Sequence, residues 1–108
     1  DRKKYLIKTG GENVYPQEVE QVLLRHEAVA EAAVIGIPDE HWGEAVTAFI
    51  VLKPGHELTR AAIADWVGAH IAGYKKPRYV EFVAALPRNV SGKILKTELA
   101  GYTAGTRS

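Results

Sequence analysis

Ala45-Val46-Thr47-Ala48-Phe49-Ile50-Val51-Leu52 is apolar on both of its alternating faces. A strand with one apolar face needs one covering layer; this one needs two, which makes it a central strand. Just upstream, Ala28–Ile37 is a second apolar run, built of small residues, and reads as another strand. Between them Pro38-Asp39-Glu40-His41-Trp42-Gly43-Glu44 is a polar loop holding one large aromatic. Pro54-Gly55 closes the central strand with a turn.

Working outward, Tyr5–Lys8 and Val14-Tyr15 flank Thr9-Gly10-Gly11-Glu12-Asn13, two short extended runs around a Gly-Gly turn, which predicts a β-hairpin. Pro16 pre-sets a helix start, and Glu18 and Glu20 suit the positive end of its dipole. Val19, Val22 and Leu23 follow the i, i+3, i+4 rule, so residues 16–26 read as an amphipathic helix. Downstream of the central strand, Thr59 caps a second helix whose stripe is Ile63, Trp66, Val67, His70 and Ile71, ending at Gly73. Tyr74-Lys75-Lys76-Pro77 is a basic turn, Tyr79–Val83 alternates as a third strand, and a short helix is expected near Lys96–Gly101. The fold class implied is α+β: an N-terminal hairpin plus a small three-stranded sheet flanked by helices on one side, near the ferredoxin-like pattern.

The length of 108 residues is that of one small domain, and 46% apolar with 25% charged residues is an ordinary globular composition. Such a chain builds one modest core, so a site should lie on its surface or against something else. A net charge of +1 argues against nucleic acid or an anionic membrane as a bulk electrostatic partner. No apolar run is long enough to span a bilayer, no signal peptide opens the chain, and there is no cysteine, so the default expectation is a cytoplasmic protein. The opening Asp1-Arg2-Lys3-Lys4, without an initiator Met, reads as a chain cut from something longer. His26, His41, His56 and His70 show no paired-ligand spacing, and no metal is assigned.

The chemistry-bearing stretch is Pro87-Arg88-Asn89-Val90-Ser91-Gly92-Lys93-Ile94-Leu95-Lys96. A glycine beside a lysine lets backbone N–H groups and an ammonium approach one anionic oxygen together. The phosphate-cradling G-x-x-x-x-G-K-[ST] pattern fails: Pro87 replaces its first glycine and Ile94 its hydroxyl. Lys93 is therefore expected on a mobile turn. Taken singly, Lys93 reads as a solvated lysine, Gly10-Gly11 as a turn, Trp42 as a lid on the core, and Tyr74-Lys75-Lys76 as a solvated basic turn. Their joint occurrence in this order changes the odds.

Asp1–Lys4 followed by Ile7-Lys8-Thr9-Gly10-Gly11-Glu12-Asn13-Val14-Tyr15-Pro16-Gln17-Glu18-Val19-Glu20 closely resembles the linker and first hairpin of the C-terminal domain of adenylate-forming enzymes. That superfamily includes acyl-CoA synthetases, nonribosomal-peptide adenylation domains and firefly luciferase. Pro38–Glu44, Tyr74–Pro77 and Leu86–Ile94 resemble later segments of it in the same order. The likeness spans nearly the whole chain up to about Tyr102.

The resemblance implies two half-reactions. A carboxylate attacks the α-phosphate of ATP, giving an acyl-adenylate and pyrophosphate; the thiol of coenzyme A then expels AMP. It implies a large N-terminal domain, absent here, holding ATP, Mg²⁺ and the acid, and a small domain (residues 5–102) that rotates between steps, with residues 1–4 as hinge and 103–108 as a frayed tail. By itself this domain would be inactive. The resemblance places Lys93 at the adenylation lysine, where a compact charge on a flexible stem suits developing negative charge. It places Lys4 at the hinge, Arg2 near the adenylate ribose and the coenzyme A phosphates, and Gly10 and Gly11 along the pantetheine tunnel. Trp42 and Tyr74 match aromatic positions that hold the coenzyme A adenine in some members, and Lys76 a basic residue meeting its phosphate.

Asn13 stands where some members carry an arginine reaching the adenylate phosphate, which fits the fatty- and aromatic-acyl-CoA branch. A lysine acetyltransferase acting on Lys93 is a further implied partner. The expected function is thus that of the C-terminal domain of an AMP-forming acyl-CoA synthetase. The alternatives are an adenylation domain loading a carrier protein, or, in a different class, a stand-alone ferredoxin-like module for RNA or a small ligand. Tyr79 and Phe82 do not make the aromatic sheet motif of an RNA reader.

Overall fold

The computed structural model describes residues 6–71 and 75–99. In chain order they form β1 (Ile7–Thr9), β2 (Glu12–Val14), α1 (Pro16–Leu24), β3 (Val29–Asp39), β4 (Gly43–Leu52), α2 (Arg60–His70) and β5 (Tyr79–Phe82), with a helical turn over 96–99. The α+β class is as expected.

β4 is the central strand. Along one edge it pairs antiparallel with β3 from Asp39↔Gly43 to Val29↔Leu52. Its other edge is shared: Gly43 pairs with Thr9 of β1, and Thr47–Ile50 pair in parallel with Tyr79–Phe82 of β5. The polar stretch after Ile37 is shorter as a loop than its sequence suggests. Pro38↔Glu44 and Asp39↔Gly43 are already paired, so the strands run on until only residues 40–42 turn. The Asp39 carboxylate closes that turn by accepting the N–H groups of His41 and Trp42 at 2.9 and 3.0 Å.

Both faces of β4 are covered, as its composition demands. On one face α1 and α2 bury Val46, Ala48 and Ile50 together with Val34, Val19, Leu23, Ile63 and Val67. On the other, Phe49 packs with Ala33, Ile35, Ile37, Leu86 and Leu99. The helices are therefore not all on one side, since the turn at 96–99 contributes Leu99 to the second face. Two helix starts follow from local chemistry: Pro16 opens α1, and Thr59 Oγ1 accepts the Ala62 N–H at 3.0 Å to cap α2. Trp66 ties the two helices, donating its indole N–H to the Val22 carbonyl at 2.8 Å.

The connection β4–α2–β5 joins adjacent parallel strands. A ferredoxin-like arrangement splits its crossovers around an intervening strand. The direct crossover, with a hairpin grafted onto one end of β4, separates this fold from that pattern. Among the described residues no helix is long and apolar enough to cross a membrane.

Candidate functional site

The Lys93 turn is held at many points. Arg88 and Ile94 form an antiparallel bridge, and the Asn89 N–H donates to the Lys93 carbonyl at 3.0 Å. Inside that loop Asn89 Oδ1 accepts three hydrogen bonds, from Ser91 N–H at 3.0 Å, Ser91 Oγ–H at 2.7 Å and Lys93 N–H at 3.0 Å. Gly92 takes the positive φ of 89° that closes the loop, and its carbonyl accepts from Arg88 Nη1 at 2.7 Å. The other guanidinium nitrogen of Arg88 pairs with Glu31 on β3. After the turn, Lys96 pairs with Glu20 of α1 at 2.7 Å. The expectation of a mobile turn is corrected: an exposed Lys93 side chain stands on a braced backbone. Asn89, Val90, Ser91 and Gly92 share its loop.

Gly10 and Gly11 occupy the β1–β2 turn with φ of 57° and 83°. Positive φ at both central residues is what a two-residue type I′ hairpin demands, so the Gly-Gly pair is read directly from this geometry. Gly10 also touches Trp42. Its N–H donates to the Trp42 carbonyl at 2.9 Å, and a Cβ on Gly10 would sit 3.1 Å from Trp42 Cε3. Trp42 is half-buried but belongs to neither core cluster, so it is not a lid on the core. The Arg78 guanidinium lies over its ring, 3.7 Å from the centroid.

Gly10 and Trp42 are therefore brought together, with Gly11 next to Gly10 in the same turn. Ile7 and Val14 of the hairpin are buried in the cluster on the helical face, whereas Leu86 and Ile94, flanking the Lys93 turn, pack into the cluster on the opposite face. Lys76 runs along α2: a Cβ on Gly68 would meet its Cδ at 2.7 Å. Lys75 is not a merely solvated cation, because Nζ pairs with both carboxylate oxygens of Glu18 at 2.8 and 3.0 Å. Arg2, Lys4 and Tyr74 lie outside the described residues.

Arg78 was missed by sequence reasoning. The signal was there in the run Lys75-Lys76-Pro77-Arg78, but which of its cations faces Trp42 depends on the parallel pairing. The Arg78 N–H donates to the Val46 carbonyl at 2.7 Å, which sets the residue beside the start of β4. Of the histidines, His26 Nδ1 accepts the Ala28 N–H at 3.0 Å and His70 Nδ1 lies 2.7 Å from the Trp66 carbonyl. Among the described residues no group of three or more His, Cys, Asp or Glu is gathered as for a metal.

The chain matches the AMP-binding enzyme C-terminal domain over residues 18–93. It is 50% identical over 99 residues to a 2-succinylbenzoate–CoA ligase of Geobacillus sp., covering 92% of this chain and 20% of that protein. It is 48% identical over 99 residues to the fatty acid–[acyl-carrier-protein] ligase ScoC of Streptomyces coeruleorubidus, again 92% of this chain but 19% of that one. Its fold superposes on a Mycobacterium tuberculosis fatty acyl CoA synthetase with a TM-score of 0.90 and 46% identity, covering 98% of this chain and 21% of that one. The chain thus spans about one fifth of the length of the proteins it matches. With a matched family segment that runs from α1 to Lys93, and relatives at half identity across nearly all its length, this chain belongs to the C-terminal domain family of AMP-binding, adenylate-forming enzymes.

Proposed function

We propose that this chain is the mobile C-terminal domain of an AMP-forming acyl-CoA synthetase, and that it serves the two half-reactions with different faces. In the first, a carboxylate oxygen attacks the α-phosphorus of ATP and the bond to the bridging oxygen breaks, releasing pyrophosphate. Negative charge grows between acid and phosphate as this happens, and Lys93 stabilises it from a position near the bridging atoms. In the second, the thiol of coenzyme A adds to the acyl carbon and AMP leaves; here Gly10 and Gly11 line the route of the pantetheine arm, their lack of Cβ atoms letting it pass against backbone. ATP, Mg²⁺ and the acid are assigned to a larger N-terminal domain, Lys4 to the hinge, and Arg2 to the adenylate and coenzyme A phosphates.

The observation that carries this proposal is that the two motifs are built separately: the Gly10-Gly11 turn closes a hairpin within the sheet itself, whereas the Lys93 turn is flanked by Leu86 and Ile94, which pack against one face of that sheet. Use of each turn in its own half-reaction is served by a rotation of the domain between the two steps. In the full-length protein Lys93→Ala should lower pyrophosphate release from ATP and acid by at least about a hundredfold, yet still pass a preformed acyl-adenylate to coenzyme A. Equal loss of both steps would make Lys93 structural. The isolated chain should release no pyrophosphate, and acetylation of Lys93 should mimic the alanine variant.

A second acceptor is favoured by one relative: ScoC is named as a ligase to an acyl-carrier protein. Trp42 with Arg78 stacked on it favours free coenzyme A, because a carrier protein brings its own pantetheine and needs no platform for adenine. Competition between the two thiols in the full-length enzyme separates them.

A further inference from the structure

Lys93 sits on an exposed turn, where water could satisfy the backbone groups, yet that turn is hydrogen-bonded internally. One side-chain atom makes three of these bonds. Asn89 Oδ1 accepts from Ser91 N–H, Ser91 Oγ–H and Lys93 N–H at 3.0, 2.7 and 3.0 Å. Two of these donors are backbone amides that can only donate, so the oxygen of the carboxamide must face into the loop. The flanks are tied as well, Arg88 to Glu31 before the lysine and Lys96 to Glu20 after it. The four-carbon stem of Lys93 thus rises from a backbone held on both sides. An ammonium whose stem starts from a wandering backbone would spread over several positions, and a misplacement of about 1 Å is enough to cost a reaction roughly a hundredfold.

We propose that Asn89 is a positioning residue for Lys93: its side-chain oxygen holds the Lys93 N–H and so fixes the point from which the ammonium reaches the reacting phosphate. Lys93 then enters and leaves the cleft by rigid movement of the whole domain, with no closure of its own loop. This rests on the adenylation role proposed above for Lys93. Because the turn is exposed, losing the Asn89 oxygen exposes amides that water can meet, and overall stability should change little. The consequence falls on the order of the turn.

The test uses the full-length protein. In Asn89→Ala, pyrophosphate release at saturating acid should fall about ten- to a hundredfold, with KM for ATP within about twofold of the parent. Transfer of a preformed acyl-adenylate to the thiol should be unchanged, and amide exchange at Ser91 and Lys93 should accelerate. Asn89→Asp keeps an acceptor oxygen in place and should recover most of the rate and of the protection. Unaltered pyrophosphate release in Asn89→Ala, equal loss in both half-reactions, or no rescue by aspartate would overturn the proposal. Lys93→Ala measured alongside separates the two levels. If it spares adenylation, the role of Lys93 itself fails; if it abolishes adenylation while Asn89→Ala does not slow it, only the positioning role fails.

Discussion

Lys96 Nζ lies 2.7 Å from Glu20 Oε2, and that same oxygen accepts the Val34 N–H at 2.8 Å. Three parts of the molecule meet at one carboxylate: the helix on one face of the sheet, the outer edge of β3, and the C-terminal segment that covers the other face. An open strand edge is a template for unwanted pairing. Glu20 occupies the outward N–H of Val34, and Pro38, an even number of residues further along, has no N–H to leave on that edge.

Glu20→Ala should therefore destabilise the chain by about 1–3 kcal/mol, since the Val34 edge amide loses its acceptor and Lys96 loses its ion pair with Glu20. Glu20→Gln keeps an acceptor for Val34 and should cost less. Urea denaturation compares them; equal losses would mean that the charge on Glu20 carries the whole effect.

The two hairpin glycines should respond differently to alanine. Each would be strained by about 1–2 kcal/mol in the left-handed backbone region. At Gly10 the new methyl also meets Trp42 at 3.1 Å, whereas at Gly11 it meets nothing within 4 Å. With Trp66→Phe as background, leaving Trp42 as the single tryptophan, the indole emission should shift in Gly10→Ala and hold in Gly11→Ala. In the full-length enzyme Gly10→Ala should slow thioester formation and leave adenylation near the parent rate.

Trp42→Ala in the full-length enzyme should raise KM for coenzyme A about tenfold, the worth of one base stacked on an aromatic ring, with KM for ATP unchanged. Arg78→Ala should do the same to a smaller extent, the stacked cation contributing about 0.5–1 kcal/mol at an exposed site. Pantetheine, which lacks the nucleotide, is the control. If its KM rises equally, Trp42 serves the tunnel and not the adenine.

Much of this was legible in the chain itself. The two-faced apolarity of Ala45–Leu52 announced a doubly covered strand, Gly10-Gly11 a hairpin turn, and Pro16 and Thr59 the helix starts, because each is a local matter of backbone freedom or side-chain period. The spaced motifs ending in Ser91-Gly92-Lys93 pointed to the family before any coordinates. The loop around Trp42 was drawn too long, since Pro38 and Gly43 read locally as breakers while cross-strand pairing keeps them in the ladder. The mobile turn at Lys93 was likewise an error of locality: Asn89 was visible in the sequence, but nothing there said that its oxygen would gather three donors.

By itself, then, the sequence determined the family and which segments must be buried, for those depend on residue type, on spaced motifs and on periods of two and 3.6. Tertiary structure alone decided the arrangement of those segments. It chose Arg78 to lie over Trp42, bound Lys96 to Glu20 across the edge of β3, and built the glycine hairpin into the sheet while the flanks of the lysine turn pack against one of its faces. The physical reason is that these contacts join residues far apart in the chain. Strand order and the packing of both faces settle them together, and neither is written in any short stretch of sequence.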